Sequence, residues 1–377
     1  MKSLANIGFF RPYPYGGGSN FALIQSLNQF SRHNGKVYTE TVGKQLDGTQ
    51  NSNNLKFKLE KPETFNLRLG INIYSSIRNI KEVEDLELID AMELTNGYSY
   101  KLAKISRSSG IPFVVTVIET VYHETIKIIP PFRTYASYVT RNATAFRVYT
   151  NKSEEFLINM GVPRNSIHKI PIGIDTNLFF QDDDRKNKTL EIIYARRLEP
   201  KNGILDLLSA VKTLSEKGVK VTLLVIGDGP LESVVRSVPN IYPVKFIGRV
   251  PYYKLAELYR EADIYCNVAH DKKFLGRTKQ EDGQFTFPLL ESQASGLPVI
   301  TTDSGSNREI VEKGNLFISQ GDKNEIVKAI EYLSDEGTRL SIGRKNRRFI
   351  ESHFDGKKLQ SDADNFYDRI LNRKTVS

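Results

Sequence analysis

The chain has 377 residues, of which 39% are hydrophobic and 26% are charged, and it carries a formal net charge of +9. This composition is typical of a soluble globular protein, and the length favours two domains. No stretch approaches the roughly 18–20 apolar residues that cross a bilayer, and the first residues do not form a signal peptide. Cys266 is the only cysteine, which excludes an intrachain disulfide and favours a reducing compartment. We therefore predict a cytoplasmic protein.

The positive charge is concentrated in the first half of the chain. Residues 1–172 hold 21 Lys and Arg against 14 Asp and Glu, which gives +7, and the remainder contributes +2. A basic half favours an anionic partner, either a phosphorylated acceptor or the anionic surface of a membrane. The alternative is that dispersed lysines only keep the protein soluble. A nucleic acid partner is not expected, because the sequence has no recognisable binding module and no dense basic tract.

In chain order, the first half alternates between apolar runs and helical segments. Strands are predicted at 4–10, 86–90, 111–117 and 145–150. One helix is predicted to end near 32, and two more are predicted at 96–109 and 153–160, with Ser153 as the cap of the last one or close to its cap. Three glycines at 16–18 follow the first strand, where they would let the backbone approach a ligand closely. The polar residues 41–66 predict a loop or a short hairpin.

The alternation restarts after residues 168–180 and is clearer there. Strands are predicted at 191–195, 220–226, 244–248, 263–268, 299–302 and 315–318. Helices are predicted at 252–261, at 323–334 and around Leu205, Leu207, Leu208, Val211 and Leu214. Repeated strand–helix units predict an α/β fold with a doubly wound parallel sheet in each half. In the last helix Phe366, Tyr367, Ile370 and Leu371 share one face, so we expect that helix to dock.

Residues 281–309 contain the densest set of functional signals. Thr286 and Pro288 indicate a helix start, and Gly296 ends that helix before the strand at 299–302. A second helix is predicted to begin near Asn307. Two helix N-termini beside the end of one strand suit a diphosphate, because free N–H groups and helix dipoles favour negative charge. Glu291 could accept a pair of ribose hydroxyls; the alternative is a charge on a solvated helix face.

Two cations follow the first strand of the second half. Arg197 and Lys201 lie in the loop 196–203, at the carboxyl edge of the predicted sheet. Cations at this place can neutralise a leaving diphosphate, although loop cations are often only solvated. The sequence GDGP at 227–230 is either a plain tight turn or a turn that uses glycine for close approach to a ligand.

Taken in order, these motifs resemble the retaining GT-B nucleotide-sugar glycosyltransferases of family four, also called glycosyl transferases group 1. The matching stretches are GGG (16–18), PIGIDTNLF (171–179), RRLEPKNG (196–203), VIGDGP (225–230), FIGRV (246–250), EADIY (261–265) and PLLESQASGLPVITTDSGSNREIV (288–311). The resemblance implies two Rossmann-like domains facing a deep cleft. These would be an N-terminal acceptor domain at 1–172, a C-terminal donor domain at 173–355, and a final helix at 356–377 that crosses back to the first domain.

The resemblance also implies roles for individual residues. Arg197 and Lys201 would bind the donor diphosphate and stabilise it as it leaves, and Glu291 would hold the ribose hydroxyls. The glycine loop of the first domain, with Gly17 and Gly18, would close over the phosphates, and the main chain at Arg249 and Val250 would lie against the base. The family retains anomeric configuration and usually needs no metal, and we expect no other cofactor.

The sequence departs from the family pattern at three places. The family has a Glu eight residues before the one matched by Glu291, but here that position is Gly283, preceded by Asp282 and Glu281. A small insertion could present either Glu281 or Asp282 to the donor sugar; we favour Glu281 as the catalytic residue and expect Asp282 and Gly283 to bind the donor. Lys201 stands one place earlier than in the commonest pattern. The family histidine after the strand at 111–117 is replaced by Ile118 and Glu119, and His123 is either its substitute or a surface histidine.

Two further segments have open interpretations. Residues 270–283 are either a lid over donor or acceptor or a solvated loop. Residues 126–138 fit either a contact with a lipid phosphate or membrane edge, or ordinary core packing.

We therefore predict a retaining, metal-independent glycosyltransferase that moves a sugar from a nucleotide diphosphate-sugar to a hydroxyl acceptor. The expected acceptor is a glycan or a lipid-linked molecule in cell-surface glycan or lipid-linked oligosaccharide synthesis, with a peripheral membrane contact through the basic domain. The alternatives are a non-catalytic member that binds a nucleotide or glycan, and a GT-B nucleotide-sugar epimerase. A dehydrogenase is disfavoured, because no GxGxxG motif follows a strand with an acid about twenty residues later.

Overall fold

A computed structural model describes residues 5–11, 30–39, 58–60, 64–68, 72–77, 83, 85–118, 130–182, 189–238, 242–274, 277–280 and 285–374. The chain divides into two compact units. Unit 1 contains residues 1–173 together with 356–377, and unit 2 contains residues 174–355. Each unit has its own parallel sheet. Among the helices of the described residues, not one combines the length and the apolar character that crossing a membrane requires.

Unit 1 is built on a seven-stranded parallel sheet. Its strands are β1 (Asn6–Arg11), β2 (Asn34–Thr39), β3 (Lys58–Glu60), β6 (Leu88–Met92), β7 (Phe113–Val117), β8 (Ala145–Val148) and β9 (Ile167–Lys169). A separate antiparallel pair consists of β4 (Thr64–Arg68) and β5 (Asn72–Ile77). The described helices are α1 (Gly97–Ser109), α2 (Pro130–Asn142), α3 (Asn151–Asn159) and α11 (Gly356–Lys374). The strand order is β3-β2-β1-β6-β7-β8-β9.

Unit 2 has a six-stranded parallel sheet of similar design. Its strands are β10 (Leu190–Ala195), β11 (Val221–Ile226), β12 (Val244–Gly248), β13 (Ile264–Asn267), β16 (Val299–Thr302) and β17 (Leu316–Ile318). A two-stranded antiparallel hairpin, β14 (Lys272–Phe274) and β15 (Arg277–Gln280), follows β13. The helices are α4 (Ile204–Glu216), α5 (Glu232–Ser237), α6 (Tyr252–Glu261), α7 (Phe287–Ala294), α8 (Asn307–Ile310), α9 (Lys323–Tyr332) and α10 (Glu336–His353). The strand order is β12-β11-β10-β13-β16-β17.

The central strands of both sheets are buried on both faces, which explains why their sequences are continuously apolar. Every residue of β7 and β16 is buried, as are all of β6 and β13. Parallel sheets need helices on both faces, so their strands show apolar runs rather than alternation. The doubly wound parallel sheet predicted for each half is confirmed.

The ten predicted strands are present, with ends within two residues of the prediction, but several local details differ. Strands β2, β3 and β9 of the seven-stranded sheet were not predicted; β3 lies within residues 41–66, where a loop or a short hairpin was expected, and pairs in parallel with β2. Helix α3 begins earlier than expected, because the side chain of Thr150 accepts the Ser153 N–H; Thr150, not Ser153, is the cap. In α4, Leu205 is 43% exposed and does not share the buried face of Leu207 and Leu208.

A buried polar cluster fixes α11 to the sheet of unit 1. Asp90 accepts hydrogen bonds from Arg11 at 3.0 Å, from Thr116 at 2.8 Å and from the Tyr367 hydroxyl at 2.6 Å. The Tyr367 oxygen also accepts a hydrogen bond from Arg147 at 3.2 Å. These side chains are almost completely buried. Burial and the neighbouring Asp90 raise the pKa of Tyr367 well above its ordinary value, so the hydroxyl keeps its proton.

Replacing Tyr367 by Phe should destabilise unit 1. The substitution keeps the ring but removes one donor to Asp90 and one acceptor for Arg147, and a buried group left without its partner costs roughly 1–3 kcal/mol. Hydrogen exchange of amides in β6 and β8 would measure the change within unit 1 of the full chain. Tyr332→Phe, at a side chain that is 57% exposed, is the matched control. Equal protection in the two variants would contradict a stabilising role for the cluster.

Candidate functional site

Three adjacent strands of unit 2 end at one edge of the sheet. Strands β10, β11 and β12 are neighbours and run parallel, so the loops that follow them lie at their shared carboxyl edge. The loop after β10 carries Arg197 and Lys201, the loop after β11 carries Asp228, and Arg249 follows β12.

We call Arg197, Lys201 and Arg249, together with Glu199 and Asp228, the cationic cluster. Glu199 lies 3.1 Å from Arg197 Nε and 3.5 Å from Lys201 Nζ. Asp228 lies 3.7 Å from Arg197 Nη1 and 3.8 Å from Arg249 Nη1. The three cationic side chains are between 32% and 49% exposed, so an anionic ligand can reach them from solvent.

Two glycines bring the first two loops of this edge into contact. A Cβ on Gly227 would lie 2.1 Å from the carbonyl oxygen of Arg196, and a Cβ on Gly229 would lie 2.6 Å from that of Leu198. Both glycines also have positive φ angles, 129° and 153°. The glycines of the GDGP sequence therefore let its backbone pack closely against the loop after β10. This packing places Asp228 beside Arg197.

The loop that carries Arg197 is also held from within. The Tyr194 hydroxyl and the Asn202 side-chain amide both donate to the Arg197 carbonyl oxygen, at 3.2 and 2.8 Å. These bonds fix the main chain of the loop while its cationic side chains remain accessible.

Glu199 stays ionised beside its two cations. Partial burial raises its pKa, but Lys201 and Arg197 together lower it further than burial raises it, so the net pKa lies below the ordinary value. Glu199 therefore provides the negative charge that keeps Arg197 and Lys201 together. A diphosphate, with more charge than one carboxylate, can compete for the same two cations.

Glu291 occupies a very different environment in α7. Its side chain is 1% exposed, and its two oxygens accept hydrogen bonds from the Tyr252 hydroxyl at 2.9 Å and the Tyr259 hydroxyl at 3.5 Å. Burial raises the pKa of Glu291 to about 7, although the two tyrosine hydroxyls partly oppose the rise. The alternative of a charge on a solvated helix face is wrong.

The loop after β16 adds two buried polar atoms. The Asn307 side-chain amide donates to Thr301 Oγ1 at 3.2 Å and to the Thr302 carbonyl at 3.0 Å. Its Oδ1 atom and the Ser306 hydroxyl are buried and have no hydrogen-bond partner among the residues that the structure describes. The predicted start of a helix at Asn307 is confirmed, but α8 has only four residues.

Several predicted site residues lie outside the described residues. These are Gly17, Gly18, His123, Glu281, Asp282 and Gly283. Val250 follows β12 next to Arg249 and is half-buried. Of the segment 270–283, the hairpin of β14 and β15 is described. Of the segment 126–138, residues 130–138 belong to α2, where Tyr135 and Ala136 are buried and Arg133 is exposed.

Sequence reasoning missed four residues that define this site. Glu199 and Asp228 lie within the motifs RRLEPKNG and GDGP, so the sequence could have indicated an acid beside the cations. Tyr252 and Tyr259 are seven residues apart and therefore share one face of α6. That spacing could have indicated a pair of hydroxyls, but not that their partner was Glu291.

Comparison with known proteins finds that unit 2 is similar to one protein family. Residues 175–352 match the family model described as Glycosyl transferases group 1. The putative colanic acid biosynthesis glycosyltransferase WcaL of Escherichia coli is 25% identical over 210 residues, covering 52% of this chain and 50% of that protein. N-acetyl-alpha-D-glucosaminyl L-malate synthase of Bacillus anthracis is 22% identical over 391 aligned positions, covering 95% of this chain and 96% of that protein. The chain thus spans about half the length of the first relative and nearly all of the second.

A solved structure with the same fold is that of Anabaena HepE in complex with UDP-glucose. It superposes with a TM-score of 0.74 at 17% identity, covering 97% of this chain and 100% of that one. The GT-B fold predicted from the sequence, and the resemblance to group 1 glycosyltransferases, are confirmed.

The raised pKa of Glu291 predicts a pH-dependent effect of Glu291→Gln. Between about pH 4.5, the ordinary pKa, and about pH 7, the unfolded wild type has lost this proton while the folded protein keeps it. The Glu291 contribution to the free energy of unfolding therefore falls as pH rises through this window, by at most about 1.4 kcal/mol per pH unit. The variant lacks this loss, so its stability relative to wild type should increase from pH 4.5 to 7 and then level off.

Denaturant unfolding of both proteins across pH 4–8 measures this difference. Glu216→Gln, at a side chain that is 62% exposed on α4, controls for the loss of a surface carboxylate. A stability difference that stays constant from pH 4.5 to 7 would show that Glu291 does not titrate in this window.

Proposed function

We propose that the protein transfers a sugar from a nucleotide diphosphate-sugar to a hydroxyl acceptor, and the premise is the match of residues 175–352 to the model of glycosyl transferases group 1. The observation that carries the proposal is the cationic cluster. Arg197, Lys201 and Arg249 stand together at one sheet edge, half exposed and held by two carboxylates. Such a cluster suits a ligand with two or more closely spaced negative charges.

In the proposed reaction, the cluster stabilises the diphosphate as the bond to the sugar breaks. Negative charge develops on the leaving oxygen in the transition state, and cations already fixed nearby lower its energy without reorganising. Arg197 and Lys201 take this role. Because side chains supply the positive charge, we propose that the reaction needs no metal ion. We also propose that it retains the anomeric configuration, as the family resemblance implies.

Glu291 is proposed to bind the ribose of the donor. Each carboxylate oxygen has two lone-pair directions, and in this structure the two tyrosine hydroxyls approach one oxygen each. Capacity remains for ribose hydroxyls at the same carboxyl group. The Ser306 hydroxyl and Asn307 Oδ1, both buried and without a partner in the described residues, follow β16 and are proposed as further polar groups for the donor.

The acceptor is proposed to be a hydroxyl of a glycan or a lipid-linked molecule in polysaccharide synthesis. The relative named for colanic acid biosynthesis supports a glycan acceptor. The relative named N-acetyl-alpha-D-glucosaminyl L-malate synthase supports testing a small hydroxy acid as an acceptor as well. We propose that unit 1, which is basic, carries the acceptor. We also propose that unit 1 makes a peripheral contact with the inner, cytoplasmic face of the membrane.

Substitution of the cluster cations tests the donor proposal. Titration calorimetry with UDP, GDP and ADP, in the presence of EDTA, identifies the nucleotide that wild type binds. Arg197→Ala and Lys201→Ala should each weaken that binding by roughly tenfold or more, since a hydrogen bond to a charged group contributes about 1.5–3 kcal/mol. Arg236→Ala on α5, which removes an exposed arginine paired to Glu232, is the matched control and should bind normally.

Product analysis then separates transfer from its alternatives. Transfer predicts sugar on the acceptor, formed in EDTA with the anomeric configuration of the donor. A changed donor sugar without acceptor would instead identify an epimerase, and nucleotide binding without any product would identify a non-catalytic member. Unaltered nucleotide binding and turnover in both Arg197→Ala and Lys201→Ala would refute the proposed role of the cluster.

A further inference from the structure

A histidine–carboxylate pair lies next to the cationic cluster without belonging to it. His270 follows β13, and its Nε2 atom lies 2.6 Å from Oδ2 of Asp206, the third residue of α4. The side chains are 32% and 19% exposed. Neither residue contacts the cluster cations through its side chain in the described hydrogen bonds and ion pairs. The pair therefore has no direct part in the donor site described above.

The main chain of His270 nevertheless supports the turn that carries Lys201. The His270 N–H donates to the Lys201 carbonyl oxygen at 2.7 Å. The turn reverses at Gly203, which has a φ of 76°, and a Cβ there would lie 1.9 Å from the Val268 carbonyl oxygen. Residues 268–270 are thus in direct contact with the Lys201 turn.

The same segment is fixed on its other side by the loop after β16. The Thr302 hydroxyl donates to the Ala269 carbonyl oxygen at 2.7 Å, and the Ser304 hydroxyl donates to Asp271. Residues 268–271 therefore connect the Lys201 turn to the loop that leads to Ser306. The His270–Asp206 pair is a polar side-chain contact between this connecting segment and α4, immediately after the turn.

We propose that His270 is a positioning residue for Lys201. With Asp206 it holds the connecting segment against the start of α4, and its N–H fixes the main chain from which the Lys201 side chain extends. A lysine side chain is long and flexible. Its ammonium group therefore binds a fixed anion efficiently only when the main chain at the lysine is held in place. This proposal rests on the proposed function, because it assigns Lys201 to the diphosphate.

The proposal predicts which part of the ligand His270 influences. Calorimetry would compare UDP with UMP, and in parallel GDP with GMP and ADP with AMP, for whichever base wild type binds. His270→Ala should weaken the diphosphate by about tenfold and change the monophosphate much less, because misplacing Lys201 removes a contact to the second phosphate. His270→Gln should restore most of the loss, since its amide nitrogen can donate to Asp206 from a similar position.

A double-mutant cycle tests whether His270 acts through Lys201. If it does, His270→Ala should add no further loss in the Lys201→Ala background, so the two effects should be strongly non-additive. His353→Ala, at an exposed histidine of α10, is the matched control and should bind like wild type. Should His270→Ala fail to fold, Asp206→Ala breaks the same pair from the other side and should give the same selective loss.

The outcomes separate this inference from the function on which it rests. If Lys201→Ala weakens diphosphate binding but the His270 variants do not, or if their losses add to that of Lys201→Ala, the positioning role is overturned and the donor proposal stands. Equal weakening of mononucleotide and diphosphate would also overturn it, because that pattern indicates a general structural defect. If wild type binds no nucleotide, or Lys201→Ala binds normally, both proposals fail.

Discussion

Charge balance at one sheet edge is the constraint on which the proposed donor site of unit 2 depends. Three cations in neighbouring loops repel one another, and the repulsion is relieved here by Glu199 and Asp228, each shared between two cations. The sharing requires the loops to touch, and they can do so because Gly227 and Gly229 leave no side chain between them. Removing either acid would leave two cations that repel one another. A bound diphosphate could supply negative charge in place of that acid. The cluster is thus assembled before the ligand arrives, which reduces the ordering that binding must impose.

Glu291 shows the opposite use of a carboxyl group. Glu199 is kept ionised by adjacent cations, while burial raises the pKa of Glu291 to about 7 and two tyrosine hydroxyls are its side-chain partners. At neutral pH a carboxyl group with this pKa is only partly ionised, and it can accept hydrogen bonds from neutral hydroxyls. Two acids of similar chemistry are therefore suited to different parts of a nucleotide-sugar by their environments alone.

Unit 1 depends on contacts between residues that are far apart in sequence. Asp90 receives hydrogen bonds from β1, β7 and α11, and Arg147 of β8 donates to the carbonyl oxygens of Ile170 and Pro171. A buried ion pair such as that of Arg11 and Asp90 does not by itself imply high stability. Loss of one partner, however, leaves an uncompensated polar group in the core. The last helix is for this reason an integral part of unit 1 rather than an appendage of unit 2.

The sequence by itself determined the α/β class, the positions of most strands and the order of the family motifs. It could do so because apolar runs such as Phe113–Val117, and breaks such as Gly296 before Pro298, are local signals. Strand β2 was not predicted because its short, partly polar sequence NGKVYT has no strong local pattern. It forms a strand by pairing with its neighbours β1 and β3. The tertiary structure alone decided that Glu291 is buried under two tyrosines and that Asp206 faces His270, 64 residues later in the chain. Such pairings follow from strand order and helix packing, which bring distant residues together in ways that no local pattern encodes.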